Sequence, residues 1–113
     1  APAIALAETL PAKLTITEDL KLAARDADVM VTDVWASMGQ EGEAAKRIAA
    51  LKDYQVNDAL LKHAKADAIV LHCLPAHREE EITEAVIEGP QSRVFQEGEN
   101  RMHAHKAILA ALL

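Results

Sequence analysis

The sequence of 113 residues is poor in aromatic side chains, with one tryptophan, one tyrosine and one phenylalanine. Its hydrophobic half is therefore mostly aliphatic, which is typical of helices packed on an aliphatic sheet. Charged residues make up 27% of the chain beside 50% hydrophobic residues. This balance predicts a globular core and excludes wholesale disorder.

Cysteine occurs once, as Cys73, which excludes an internal disulfide framework and a cysteine-rich zinc site. No apolar run approaches the roughly 20 residues that span a bilayer. The apolar first residues carry no basic leader, so we expect no signal peptide. The sequence also has no glycine-rich phosphate loop and no Walker pattern. We therefore expect a soluble protein with a cytoplasmic location.

Positive charge is outnumbered, since 12 lysines and arginines stand against 18 aspartates and glutamates, and no run of lysine or arginine forms a basic stripe. The formal net charge is −6. Nucleic acids and anionic membrane surfaces attract basic proteins. We therefore expect neither as a partner.

The apolar pattern predicts alternating strands and helices in one structural unit. Residues 29–32 and 68–72 are apolar runs that predict buried strands. Short strands are also predicted at 13–17 and 94–95, and helices at 3–10, 20–25, 41–51, 56–66, 82–87 and 99–113. Thr17 and Asn57 are the predicted N-caps of two helices. Strands separated by helices indicate an α/β fold with a parallel sheet.

A parallel sheet places its ligand-binding loops at the carboxyl ends of its strands. Residues 33–40, DVWASMGQ, follow the first predicted buried strand. Asp33 would face an ammonium group, while Ser37 and the backbone of Met38 would contact further polar groups. Alternatively, Asp33 and Ser37 cap the next helix while Trp35 and Met38 fill the core.

Residues 72–78, HCLPAHR, follow the second predicted buried strand. An exposed Cys73 there would handle protons, act as a nucleophile or contact a polar substrate. Alternatively, the thiol is buried as a small hydrophobe and His72 is satisfied by a neighbouring carbonyl. Both interpretations are compatible with the spacing. The three glutamates at 79–81 are expected to form a solvated helix start.

Arg101 lies in ENR at 99–101, where its planar guanidinium would clamp a phosphate or carboxylate. Alternatively, this stretch is a solvated helix entrance. His103 and His105 are two residues apart and so do not share a helix face, which argues against a metal site there.

Together these stretches resemble the ornithine carbamoyltransferases in their order and separation. The matching residues are DVWASMGQ at 33–40, YQVN at 54–57, HCLPAHR at 72–78, GPQS at 89–92 and ENR at 99–101. They cover most of residues 28–113. One departure is Gly42, which stands where the family usually has another acidic residue.

The resemblance implies transfer of a carbamoyl group from carbamoyl phosphate to the side-chain amine of L-ornithine, giving citrulline and phosphate, a reaction of arginine biosynthesis. Asp33, Ser37 and Met38 would bind ornithine. Cys73, Leu74 and Arg101 would contact carbamoyl phosphate, and Asp33, Cys73 and Arg101 would be the catalytic residues. This chemistry requires no metal and no organic cofactor. Putrescine and acetylornithine are alternative acceptors, and a non-catalytic amino-acid-binding or self-associating module is the alternative of another class.

The resemblance also implies a three-layer Rossmann-like domain whose mainly parallel sheet is incomplete at its N-terminal end. Residues 1–113 would form a partial ornithine-binding domain without the carbamoyl phosphate-binding domain of the family. Because half the phosphate site would then be missing, we expect the isolated chain to be inactive. The family implies that the parent protein is a homotrimer or a multiple of trimers.

Overall fold

The computed structural model describes residues 2–11, 13–36 and 41–113. Two strands, β1 (Val29–Thr32) and β2 (Ile69–His72), run parallel, with Val29 opposite Ile69 and Thr32 opposite His72. Both strands therefore end at the same level, so that the residues after Thr32 and His72 lie side by side. The α/β fold predicted from the sequence is confirmed.

Helices occupy most of the remaining described chain. They are α1 (Pro2–Glu8), α2 (Leu20–Ala24), α3 (Glu41–Leu51), α4 (Asp58–Leu61), α5 (Glu84–Ile87) and α6 (Val94–Leu112), with a 3-10 turn at Lys52–Tyr54. No helix among the described residues is both long and apolar enough to cross a membrane.

The aliphatic core lies around β2. Val70 of β2 packs with Ile82, Ile87 and Val94, each at most 2% exposed. Burial of such side chains contributes about 1.5–3 kcal/mol each. On the edge of β2 away from β1, the Val70 N–H donates to the Gln91 carbonyl and the Val70 carbonyl accepts from Arg93 N–H. The start of α6 is therefore fixed against this strand.

Helix caps were predicted with mixed success. Asn57 caps α4, because its side-chain oxygen accepts from Leu60 N–H at 3.0 Å. Thr17 is not the cap of α2: Asp19 is, and its carboxylate accepts from two backbone N–H groups of the first turn. The Thr17 hydroxyl instead accepts from the N–H of Asp19.

Several predicted elements differ from the structure. Residues 13–17 form no strand, since they have no neighbouring strand to satisfy their backbone in the described chain. The predicted helix at 56–66 is shorter because Val56 is extended and exchanges backbone hydrogen bonds with residues 81 and 83. Residues 94–95 open α6 and are not a strand.

Candidate functional site

Asp33 and Cys73 meet because each follows the last residue of a paired strand. The Cys73 Sγ donates to Asp33 Oδ1 at 3.2 Å, and the Val34 N–H donates to the same oxygen at 2.7 Å. Both residues are exposed. The alternative of a buried, inert thiol is therefore wrong.

The hydrogen bond between the two side chains favours opposite charge states. The thiol donor, followed by the Val34 N–H, lowers the pKa of Asp33 below its ordinary value. The Asp33 carboxylate, together with desolvation, raises the pKa of Cys73. The pair is thus a carboxylate beside a protonated thiol at neutral pH.

Arg101 reaches the same site from α6. Its Nη1 donates to the Cys73 carbonyl at 2.8 Å. One turn earlier on the helix, Glu97 Oε2 accepts from the His72 N–H at 2.9 Å. Two side chains of α6 thus bind backbone groups of two consecutive residues, His72 and Cys73, which brings the guanidinium next to Cys73.

A buried hydrogen-bonded pair lies beneath this loop. His72 and Glu81 are both 0% exposed, and His72 Nε2 lies 2.9 Å from Glu81 Oε1. His72 Nδ1 accepts from the Leu74 N–H at 2.9 Å. Because Nδ1 is an acceptor, the ring proton is on Nε2, which donates to the carboxylate. The expectation that a carbonyl satisfies His72 is wrong.

Glu81 is a residue that sequence reasoning missed. The expectation that residues 79–81 are solvated is wrong for Glu81, whose Oε1 also accepts from His77 N–H at 2.7 Å. Nothing within a run of three glutamates distinguishes the buried one. The only sequence signal is its position beside Ile82, which is fully buried.

The loop after β2 turns sharply at Leu74, which has φ of 54° and precedes a cis Leu74–Pro75 peptide bond. A branched residue in the left-handed region costs roughly 1–2 kcal/mol. The Leu74 N–H bond to His72 helps to hold this conformation. Leu74 also packs partly buried against the core.

Ser37 and Met38, the other predicted ligand-binding residues, lie outside the described residues. The structure therefore brings together Asp33, Cys73, Leu74 and Arg101 of the predicted site.

Metal binding is not favoured by the arrangement at the strand ends. Asp33, His72 and Cys73 each present one possible ligand atom within 4.8 Å of the others. Both ring nitrogens of His72 are already engaged, by Leu74 N–H and by Glu81. A metal ion there would have to break one of these buried bonds. The site instead offers a carboxylate for a cation, a guanidinium for an anion and a thiol between them.

Comparisons with known proteins identify relatives across nearly the whole chain. The family model described as aspartate/ornithine carbamoyltransferase, Asp/Orn binding domain, matches residues 2–112. The ornithine carbamoyltransferase of Geobacter sulfurreducens is 61% identical over 100 residues, which is 88% of this chain and 33% of that protein. That of Archaeoglobus fulgidus is 57% identical over 107 residues, covering 95% of this chain and 35% of that protein.

The structure of this chain is also similar to solved structures of proteins with the same name as these relatives. The solved ornithine carbamoyltransferase of Pyrococcus furiosus superposes with a TM-score of 0.75 at 56% identity, covering 81% of this chain and 29% of that one. This chain spans about a third of the length of the curated relatives it matches. It belongs to the aspartate/ornithine carbamoyltransferase family, through the Asp/Orn binding domain of that family.

Proposed function

We propose that this chain supplies the ornithine-binding part of an ornithine carbamoyltransferase, which converts carbamoyl phosphate and L-ornithine to L-citrulline and phosphate. One observation carries the proposal: a carboxylate and a guanidinium flank Cys73, with Asp33 bound to its thiol and Arg101 to its carbonyl. The two charges suit the two substrates, since ornithine is a diamine and carbamoyl phosphate is an anion. The names of the relatives support the same activity.

Ornithine would bind at the Asp33 side of the site. A carboxylate forms strong charge-assisted hydrogen bonds with an ammonium group, and the lowered pKa of Asp33 keeps it charged. Ser37 and Met38 are assigned to ornithine on the sequence resemblance alone.

Carbamoyl phosphate would bind on the other side, at Cys73, Leu74 and Arg101. Arg101 would stabilise the negative charge that develops on the carbamoyl oxygen as the amine adds to the carbon. A carbon–nitrogen bond forms, the bond from that carbon to the phosphate oxygen breaks, and phosphate leaves with the electron pair. The amine gives up one proton, for which the Asp33 carboxylate is the neighbouring acceptor, whereas the protonated Cys73 thiol is a donor.

Calorimetric titration of the chain with L-ornithine tests the binding half of this proposal. We expect saturable heat with the parent chain and a loss of at least tenfold in affinity for Asp33→Asn. Asp67→Asn is the matched control, because Asp67 is an exposed aspartate in a turn before β2, and it should bind as the parent does. Absence of saturable heat from the folded parent chain would contradict the proposal. Titrations with putrescine and acetylornithine test the alternative acceptors, and tighter binding of either would reassign the substrate.

A further inference from the structure

We propose that Glu81 is a positioning residue for the loop that carries Cys73 and Leu74, acting through His72. The assignment rests on the function proposed above, because that function makes Cys73 and Leu74 substrate contacts. Glu81 itself lies beneath the loop and is fully buried.

One carboxylate binds both ends of this loop. At the start, Glu81 Oε1 accepts from His72 Nε2, and at the end it accepts from the His77 N–H at 2.7 Å. His72 extends this constraint to the middle of the loop, because its Nδ1 accepts from the Leu74 N–H. Four residues of chain between His72 and His77 are thus closed by bonds to a single buried oxygen.

The stability of the fold does not account for this arrangement. Buried polar pairs are often replaced by apolar residues of similar size without loss of stability. Glu81 Oε2 has no hydrogen-bond partner within the described chain, which adds a cost of desolvation. The carboxylate instead fixes the tautomer of His72, and His72 in turn holds Leu74 in its left-handed backbone conformation.

The pKa of the Cys73 thiol depends on the position of the loop, because it is raised by contact with Asp33. The charged groups around it are Asp33 from the end of β1, and Glu97 and Arg101 from α6. The hydrogen bonds of Glu81 run to His72 and His77 and not to the thiol. An effect of Glu81 on the thiol must therefore pass through the loop.

The test is the pH midpoint of Cys73 alkylation by iodoacetamide, measured on the whole chain, in which Cys73 is the sole cysteine. In Glu81→Leu we expect the loop to leave Asp33, so that the midpoint falls towards that of an unperturbed thiol. Each unit by which the midpoint falls raises the thiolate fraction about tenfold at a pH below the midpoint, and the alkylation rate rises by less because a thiolate of lower pKa is less nucleophilic. In Glu81→Gln the amide oxygen can still accept, and we expect a midpoint close to that of the parent.

Two controls separate positioning from general destabilisation. Leu60→Ala removes a core side chain of α4 that is 8% exposed and lowers stability without removing any hydrogen bond of Glu81 or His72, so its midpoint should stay at the parental value. Glu84→Gln removes an exposed charge that pairs with Arg78 at 3.4 Å, and it should also leave the midpoint unchanged.

A folded Glu81→Leu chain with the parental midpoint would overturn the proposal. A second measurement needs no variant: ring ¹⁵N spectra of the parent chain should show His72 protonated on Nε2, and protonation on Nδ1 would also overturn it. If Glu81→Leu does not fold, the tautomer of His72 in the parent chain decides whether the proposal stands. Neither measurement involves ornithine, so a failure here is distinguishable from a failure of ornithine binding.

Discussion

At the scale of single residues, Asp33 and Cys73 determine the protonation of the site. The hydrogen bond between them lowers the pKa of the carboxyl and raises that of the thiol. In the proposed function, an ammonium group bound at Asp33 would compete with the thiol for the same carboxylate. The chemistry proposed for the site therefore depends on a contact that exists before substrate binds.

Replacing Asp33 by Asn should lower the pKa of Cys73, because the negative charge that disfavours the thiolate is removed. Alkylation of Cys73 at pH 8 should then proceed several-fold faster than in the parent chain. Asp67→Asn serves as the control and should alkylate at the parental rate. An unchanged alkylation rate in Asp33→Asn would show that the charge of Asp33 does not control the pKa of the thiol.

The same pair makes the free energy of unfolding depend on pH. The pKa of Asp33 is lowered by folding, so its contribution is present above the unfolded pKa and is lost as pH falls through the folded pKa. The pKa of Cys73 is raised, so its contribution is present below the unfolded pKa and is lost as pH rises through the folded pKa. Both contributions are small because both side chains are exposed.

At the scale of elements, α6 completes the edge of β2 with side chains. The backbone groups of Gln91 and Arg93 bond to Val70. Further along the chain, the side chains of Glu97 and Arg101 bond to the backbone of His72 and Cys73. The helix is thereby held in a register that brings Arg101 to the site.

Glu97→Ala should destabilise the chain by about 1–2 kcal/mol, because a partly buried His72 N–H loses its charged acceptor. Urea denaturation followed by circular dichroism measures the change. Glu99→Ala is the matched control, since Glu99 is exposed and its one polar side-chain contact within residues 2–11, 13–36 and 41–113 is to His103 at 3.5 Å. Its effect should stay within about 0.5 kcal/mol. Equal effects of the two variants would contradict the role given to Glu97.

Gly42→Ala should stabilise the chain by up to about 1 kcal/mol, because alanine favours the helix and an added Cβ meets nothing within 4 Å. The contrasting variant is Gly89→Ala, whose Cβ would lie 2.7 Å from the Ala85 carbonyl oxygen. It should destabilise the chain. Thermal unfolding of both variants tests the assignment, and destabilisation by Gly42→Ala would count against the described α3.

The sequence predicted the elements that have a strong local signal. The β-branched run of β1 and the dipole-matched charges of α3 gave the bounds that the structure has. Elements that depend on distant partners were missed: Val56 is extended because it bonds to residues 81 and 83. For the same reason the meeting of Asp33 with Cys73 was predictable from strand ends, whereas the burial of Glu81 was not.

At the scale of the whole molecule, much apolar surface remains exposed. Met102, Ile108, Leu109 and Leu112 of α6 are each more than half exposed, as is Val31 of β1. In the chain by itself these side chains contribute little to stability, because they are not removed from water. The core around β2 therefore carries the fold.

Purified chain supplied with carbamoyl phosphate and L-ornithine should form no citrulline above a protein-free control. We expect this because the chain spans about a third of its curated relatives and offers one cation, Arg101, at the described site. A colorimetric citrulline assay on protein shown to be folded measures it. Turnover that disappears in Cys73→Ala would mean that this chain alone builds the complete site.

We propose above that ornithine binds where Asp33 meets Cys73. A titration of ¹⁵N-labelled chain with L-ornithine, followed by NMR, tests it most directly. We predict saturable shifts of the backbone amides of Val34, Cys73 and Leu74, with amides of α1, which contributes no residue to the proposed site, unchanged. A folded chain whose shifts stay constant, or move only away from the ends of β1 and β2, would contradict the account.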